Sequence, residues 1–157
     1  MTDGDPGADV LREVVEAAIE GLGLTADVIV EYGEEDGLVA RIEGDDIDAV
    51  IGRDGEVLDA LQLLAAQAVR RLAGGQRRGV LVDAGGYRSQ RADLLARLAQ
   101  KAADEAVEYG EEIELDPMSA LDRRTVHMAL QDRPGIDTRS EGEEPRRHIV
   151  VVPVMTD

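Results

Sequence analysis

Two stretches of this chain carry residue types at spacings that could do chemistry. The first is Ile51-Gly52-Arg53-Asp54-Gly55, placed directly before a helical run. Glycines at Gly52 and Gly55 let another backbone come close. A helix start offers N–H groups to an anion, and Arg53 adds a positive charge there. A turn of this shape can grip a phosphodiester backbone, although Gly-x-x-Gly is also the spacing of many ordinary helix starts. It is neither a Walker loop, since no Gly-Lys-Ser/Thr follows, nor a dinucleotide fingerprint, which needs three spaced glycines. The second stretch is Arg123-Arg124-Thr125-Val126-His127. In a helix, Arg123 and His127 fall one turn apart on the same side, with Gln131 continuing the row. On an exposed side they would offer two donors to one phosphate or to adjacent phosphates. The alternative is a solvent-facing pair of little energetic weight.

Other chemistries find no residues. Cysteine is absent, and His127 and His148 have no partners at ligand spacing, so neither a nucleophile–base set nor a metal site is expected. The Asp45-Asp46-x-Asp48 cluster fails as a calcium loop, because its third ligand position is Val50 and the required glycine is missing. We therefore expect no enzyme, no cofactor and no small-molecule substrate.

The elements that must hold these stretches can be read from periodicity. Asp9 can cap a first helix whose apolar residues are Val10, Leu11, Val14, Val15, Ala18, Ile19 and Leu22. Strands follow at 27–32 and 38–43, joined by a turn at Gly33–Gly37. A short apolar segment, 47–51, leads into the glycine loop. The next helix carries Val57, Leu58, Leu61, Leu64, Ala65, Ala68, Val69 and Leu72 as its stripe and stops at Gly74-Gly75. A third strand spans 78–83. After Ala84-Gly85-Gly86, a second long helix covers Tyr87 to Tyr109 with Leu94, Leu95, Leu98, Ala99, Ala102 and Ala106 on one side. A short strand at 111–115 precedes a helix capped by Ser119, with Asp122 three residues on, that runs to Gln131. Leu121, Met128 and Ala129 are expected to face its core. His148–Val154 reads as a closing strand. The fold class is α+β: two small α/β-sandwich domains, residues 1–84 and 85–157, joined by the long helix.

The chain has 157 residues, of which 43% are hydrophobic, enough for real cores. The polar, acidic start leads us to expect no signal peptide, and no apolar run reaches membrane-spanning length, so a cytoplasmic protein is expected. Net charge is −17, which opposes nucleic-acid binding. Its distribution is uneven. Residues 1–48 hold 2 basic and 15 acidic side chains (−13), residues 49–101 hold 9 and 5 (+4), and residues 102–157 hold 6 and 14 (−8). The one net-basic third contains the glycine loop, a pattern that suits local polyanion binding. Tyr32, Tyr87 and Tyr109 are the only aromatics, so no stacking platform is available.

The order helix, strand, strand, short helix, Gly-x-x-Gly, helix, strand, with the loop running into Leu58-Asp59-Ala60-Leu61-Gln62, resembles a KH domain (type II-like, α-β-β-α-α-β) as found in bacterial Jag (SpoIIIJ-associated) proteins. Asp116-Pro117-Met118, Arg123-Arg124-x-x-His127-x-Ala129-Leu130-Gln131 and Thr138-Arg139-Ser140-Glu141-Gly142-Glu143-Glu144-Pro145 resemble the Arg-x-x-x-His domain that follows it in that family. The resemblance covers roughly residues 25–153. It implies a protein that binds single-stranded RNA, or single-stranded DNA, and takes part in post-transcriptional regulation. Gly52, Arg53, Asp54 and Gly55 would face the phosphates of about four nucleotides. Val39, Ile42 and Leu58 are groove-wall candidates, with plain core as the alternative. Arg123 and His127 match the second domain's defining pair, and Arg124, Arg139 and Arg147 match positions that are commonly basic or polar. Asp54 departs from the family pattern, and a carboxylate facing a phosphate costs about 1 kcal/mol even when solvated. The resemblance also implies pairing with a small companion KH-domain protein, which leaves open a scaffold with weak or partner-dependent RNA binding. Longer Jag proteins carry a further amino-terminal domain, which this sequence is expected to lack.

Overall fold

Asp5, rather than Asp9, starts the first helix in the computed structural model of this chain, which describes residues 2–74 and 77–155. The Asp5 carboxylate accepts the N–H groups of Gly7 at 2.9 Å and Ala8 at 3.3 Å, and Pro6 takes the first helical position, where its missing N–H costs nothing. Helix α1 (Pro6–Gly21) leads to β1 (Asp27–Tyr32), β2 (Leu38–Glu43), the short α2 (Ile47–Ile51), α3 (Glu56–Leu72) and β3 (Val80–Ala84). The sheet order is β1-β2-β3, with β1 and β2 antiparallel and β2 and β3 parallel. β3 begins at Val80, later than the expected residue 78, because its pairing with β2 starts at Leu38↔Val80; the Arg78 guanidinium before it lies 2.7 Å from Asp5 and 2.5 Å from the Asp36 carbonyl. Gly75, half of the expected helix stop, lies outside the described residues.

Two compact units divide after Arg88. In the first, α1 and α3 lay their apolar stripes on one sheet face. Leu11, Leu38, Ile42 and Leu58 are fully buried, each worth about 1.5–3 kcal/mol of transfer free energy. The α3 stripe is narrower than its sequence suggests: Leu58, Leu61, Ala65 and Val69 are buried, while Leu64 and Leu72 are exposed. Tyr87 and Arg88, the first turn of α4 (Tyr87–Tyr109), belong to this unit, with Tyr87 packed on its core.

The second unit, from Ser89, contains the rest of α4, β4 (Ile113–Glu114), α5 (Ala120–Leu130), β5 (Ile136–Glu141) and β6 (His148–Pro153). β6 is the central strand, antiparallel to β4 on one side and β5 on the other. Its core combines Leu95, Ala99, Ala102, Ala103 and Ala106 of α4 with Val126, Leu130, Ile149 and Val151. Leu94 and Leu98, expected inside, are 49% and 41% exposed. Among the described residues, no helix is long and apolar enough to cross a membrane.

Candidate nucleic-acid interface

The glycine loop is built against its own unit. Gly52 has φ 71° and ψ −173°, Asp54 φ 52° and Gly55 φ 81°. A Cβ on Gly52 would lie 2.4 Å from Val57 Cγ2, and one on Gly55 would lie 2.7 Å from the Tyr87 ring. Both glycines are therefore required to close the turn. Gly55 is also the cap residue of α3, in left-handed conformation and with no side-chain cap. Arg53 is exposed and has no side-chain partner among the described residues, so its charge is available to a ligand. Asp54 is exposed beside it. Of the three groove-wall candidates, Ile42 and Leu58 are 0% exposed and belong to the core, and Val39 sits half-buried on the middle strand.

The Arg123–His127 pair lies one turn apart on α5, but not on an open side. Arg123 is 7% exposed. One guanidinium nitrogen donates to the Met118 carbonyl at 2.6 Å and the other to the Glu144 carboxylate at 2.5 Å. The half-buried His127 ring places Nδ1 2.6 Å from Thr138 Oγ1 and Nε2 3.1 Å from Ser140 Oγ, both on β5. The two residues tie α5 to the segments around it. This corrects the expected helix phase: Leu121 and Met128 are 50% and 56% exposed, while Asp122 and Arg123 are buried. Buried charge is tolerated here because it is paired. Asp122 accepts a forked contact from Arg91, at 3.1 and 2.9 Å, and among the described residues its carboxylate caps no backbone N–H.

Burial, and then the neighbouring Arg123 charge, push the His127 pKa below its usual value, against a smaller opposing pull from Asp137. At neutral pH the ring is uncharged and adds no positive grip. The native state thus binds a proton less readily than the unfolded chain, so stability rises with pH across that interval. The contribution is complete above about pH 6.5 and is lost as pH falls through the lowered native value. We expect the melting temperature of the second unit to drop between pH 7.5 and pH 5.5, with a visibly smaller drop in His127→Gln. Equal slopes in a calorimetric pH series would refute it.

The remaining arginines separate. Thr138 and Ser140 face α5, so Arg139, between them, points to the opposite sheet face. There Glu112, at 3.0 and 2.6 Å, and Glu141, at 2.6 Å, enclose it. These carboxylates raise the Arg139 pKa and its charge lowers that of Glu112. Arg147 donates to the Gly142 carbonyl at 2.7 Å and has no carboxylate partner among the described residues. Arg124 is exposed and unpaired among the described residues. On the Arg139 face, Glu114, Glu141 and His148, from three adjacent strands, bring ligand atoms within 4.8 Å of one another. Strand pairing brings them together, so no spacing in the sequence reveals the set. Glu141 is already committed to Arg139. Met118, Thr138, Ser140 and Glu144 lie in the runs that resemble the family, but their role as supports of the Arg–His pair is not legible in the sequence, because none is contiguous with it.

These features define a class before a family. Residues 93–153 match the domain family called R-3-H after its Arg-x-x-x-His motif, so the second unit is an Arg-x-x-x-His domain. The chain is 33% identical over 146 residues to the RNA-binding protein KhpB of Bacillus subtilis, covering 92% of this chain and 68% of that protein. It is 34% identical over 144 residues to the RNA-binding protein KhpB of Clostridium symbiosum, covering 91% and 64%. With the protein of the same name from Lactiplantibacillus plantarum it shares 35% over 137 residues, covering 86% and 41%. The chain belongs to the KhpB family. It spans between about two fifths and two thirds of the length of these relatives.

Proposed function

We propose that this protein binds single-stranded RNA, with its first unit acting as a KH domain and its Arg-x-x-x-His domain holding flanking phosphates. One observation carries the reading: Arg53 stands exposed and unpaired at the tip of a glycine-closed turn, beside the uncapped start of α3. Backbone N–H groups and a free guanidinium are the donors a phosphodiester requires. In the second domain the contact falls to Arg124 and Arg147, whose charges no carboxylate among the described residues neutralises. Arg123 and His127 keep that surface in shape. Arg139, enclosed by two glutamates, contributes little. With few aromatics, binding is short, weakly base-specific and strongly salt-dependent.

The joint variant Arg53→Glu with Arg124→Glu should weaken binding to a single-stranded RNA by at least tenfold. It should also flatten the plot of log affinity against log salt, by about 0.7 for each phosphate no longer neutralised. Anisotropy titrations at several salt concentrations measure both. Unchanged affinity and slope would reject the reading.

A second reading has its own observation. Asp54 is exposed at the same tip, on a body of net charge −17. That favours a scaffold whose RNA site is completed by a companion KH-domain protein. Negligible affinity of the isolated chain, restored by adding the companion, would select it.

A further inference from the structure

The outer edge of β3 is closed by side chains of its own unit. β3 ends the first sheet and, among the described residues, pairs with β2 alone. The Gly79 carbonyl and Gly85 N–H bond toward β2, so the backbone groups of Val80 and Val82 point away from it. Gln62 of α3 donates its amide to the Val80 carbonyl and accepts the Val82 N–H at 2.5 Å. Arg88 donates through Nε to the Val82 carbonyl at 2.8 Å and through Nη1 to Asp59 at 3.0 Å. Its Nη2 is buried with no hydrogen-bond partner among the described residues. Gly55, Asp59 and Gln62 descend α3 from the glycine loop at helical spacing, facing Tyr87, Arg88 and β3 in turn.

We propose that the Gln62 carboxamide is a built-in stand-in for a nucleobase: in the free protein it occupies the donor–acceptor pair on β3 that one base edge takes when a strand is held at the loop. The proposal rests on the RNA-binding reading above. A carboxamide and the Watson–Crick edge of a base each present a donor beside an acceptor. Exchange of one for the other leaves no β3 group unsatisfied, and the spare Arg88 nitrogen gains an acceptor. An added peptide strand is the poorer occupant, because it requires a run of free edge groups. Gln62 covers only two, and Asp59 fixes Arg88 on the third.

The test uses the full chain, with labelled octanucleotides of oligo(A), oligo(C) and oligo(U) as probes. Gln62→Ala removes the competitor, and Gln62→Met removes its hydrogen bonds while keeping its volume. Either variant that folds should bind at least one probe about three- to tenfold tighter, the scale of one neutral hydrogen bond no longer displaced. Unchanged or weaker binding to all three would overturn the proposal. Should neither variant fold, the wild-type Val82 amide resonance decides. A shift that saturates with added RNA supports the exchange, and an unmoved resonance overturns it. Arg53→Glu, run in parallel, separates the two claims. If it loses binding while the Gln62 variants gain none, only the stand-in is rejected. If it binds like the wild type, the RNA reading fails and the stand-in with it.

Discussion

Arg123→Ala should destabilise the Arg-x-x-x-His domain by about 2–3 kcal/mol, the cost of removing a buried, hydrogen-bonded charge and leaving its partners unmet. The guanidinium is 7% exposed and satisfies the Met118 carbonyl, which has no alternative side-chain donor among the described residues. Glu144, its other partner, is 60% exposed at the side chain and can turn to water. The cost therefore sits below that of breaking a fully buried pair. Glu144→Gln should cost under about 1 kcal/mol, as an exposed partner does. Arg124→Ala, one residue on, should leave stability unchanged. Urea unfolding monitored through the amides of Val126 and Ile149, both in the core of this domain, reads the effect locally. Any loss of RNA affinity in Arg123→Ala should follow the fraction unfolded and recover on cooling. A folded Arg123→Ala with normal stability and no RNA affinity would instead make Arg123 a direct contact.

Gly52→Ala should cost about 3 kcal/mol in the first unit. Two penalties combine there. The backbone occupies φ 71°, ψ −173°, a region that side chains adopt at a cost of about 1–3 kcal/mol. The new Cβ would also lie 2.4 Å from Val57 Cγ2 and 3.0 Å from the Val57 backbone nitrogen, and such overpacking typically adds about 1–3 kcal/mol. For a domain of this size a loss on that scale lowers the melting temperature by about 10–20 °C. Adding Val57→Ala should restore only part of the loss, since it removes the methyl contact and not the dihedral strain. Gly55→Ala should cost less, because its new Cβ meets side-chain atoms of Tyr87 only, whereas that of Gly52 also meets the Val57 backbone. Thermal melts of the three variants and the wild type give the ranking. A Gly52→Ala protein as stable as the wild type would show that the loop is open, with room for a side chain.

Much of the architecture is legible in the chain itself. The 3.6-residue stripes of α1, α3 and α4, the β-branched runs of β1, β2 and β6, and the Ser119 cap each follow from local spacing, and the structure contains all of them. Asp5-Pro6 is a helix-start signature that was there to be read, and it places α1 several residues before Asp9. β5 was not legible. Ile136-Asp137-Thr138-Arg139-Ser140-Glu141 has one aliphatic residue, and its strand exists because β6 supplies the apolar partner rows.

The loop and the Arg–His motif were also fixed locally, since both are short patterns on single elements. Their roles were not. Which side of α5 faces inward depended on Asp122 meeting Arg91 and on Arg123 meeting Met118 and Glu144, contacts 5 to 31 residues away in sequence. A rule that sends charges outward selects Leu121 and Met128 for the core, and it fails wherever pairing offsets desolvation. Strand alternation likewise placed Arg139 on the face opposite His127, although 11 residues separate His127 from its partner Thr138 and Arg139 is the next residue. Spacing along the chain determined where cations could be; only the packed structure decided which of them were already spent.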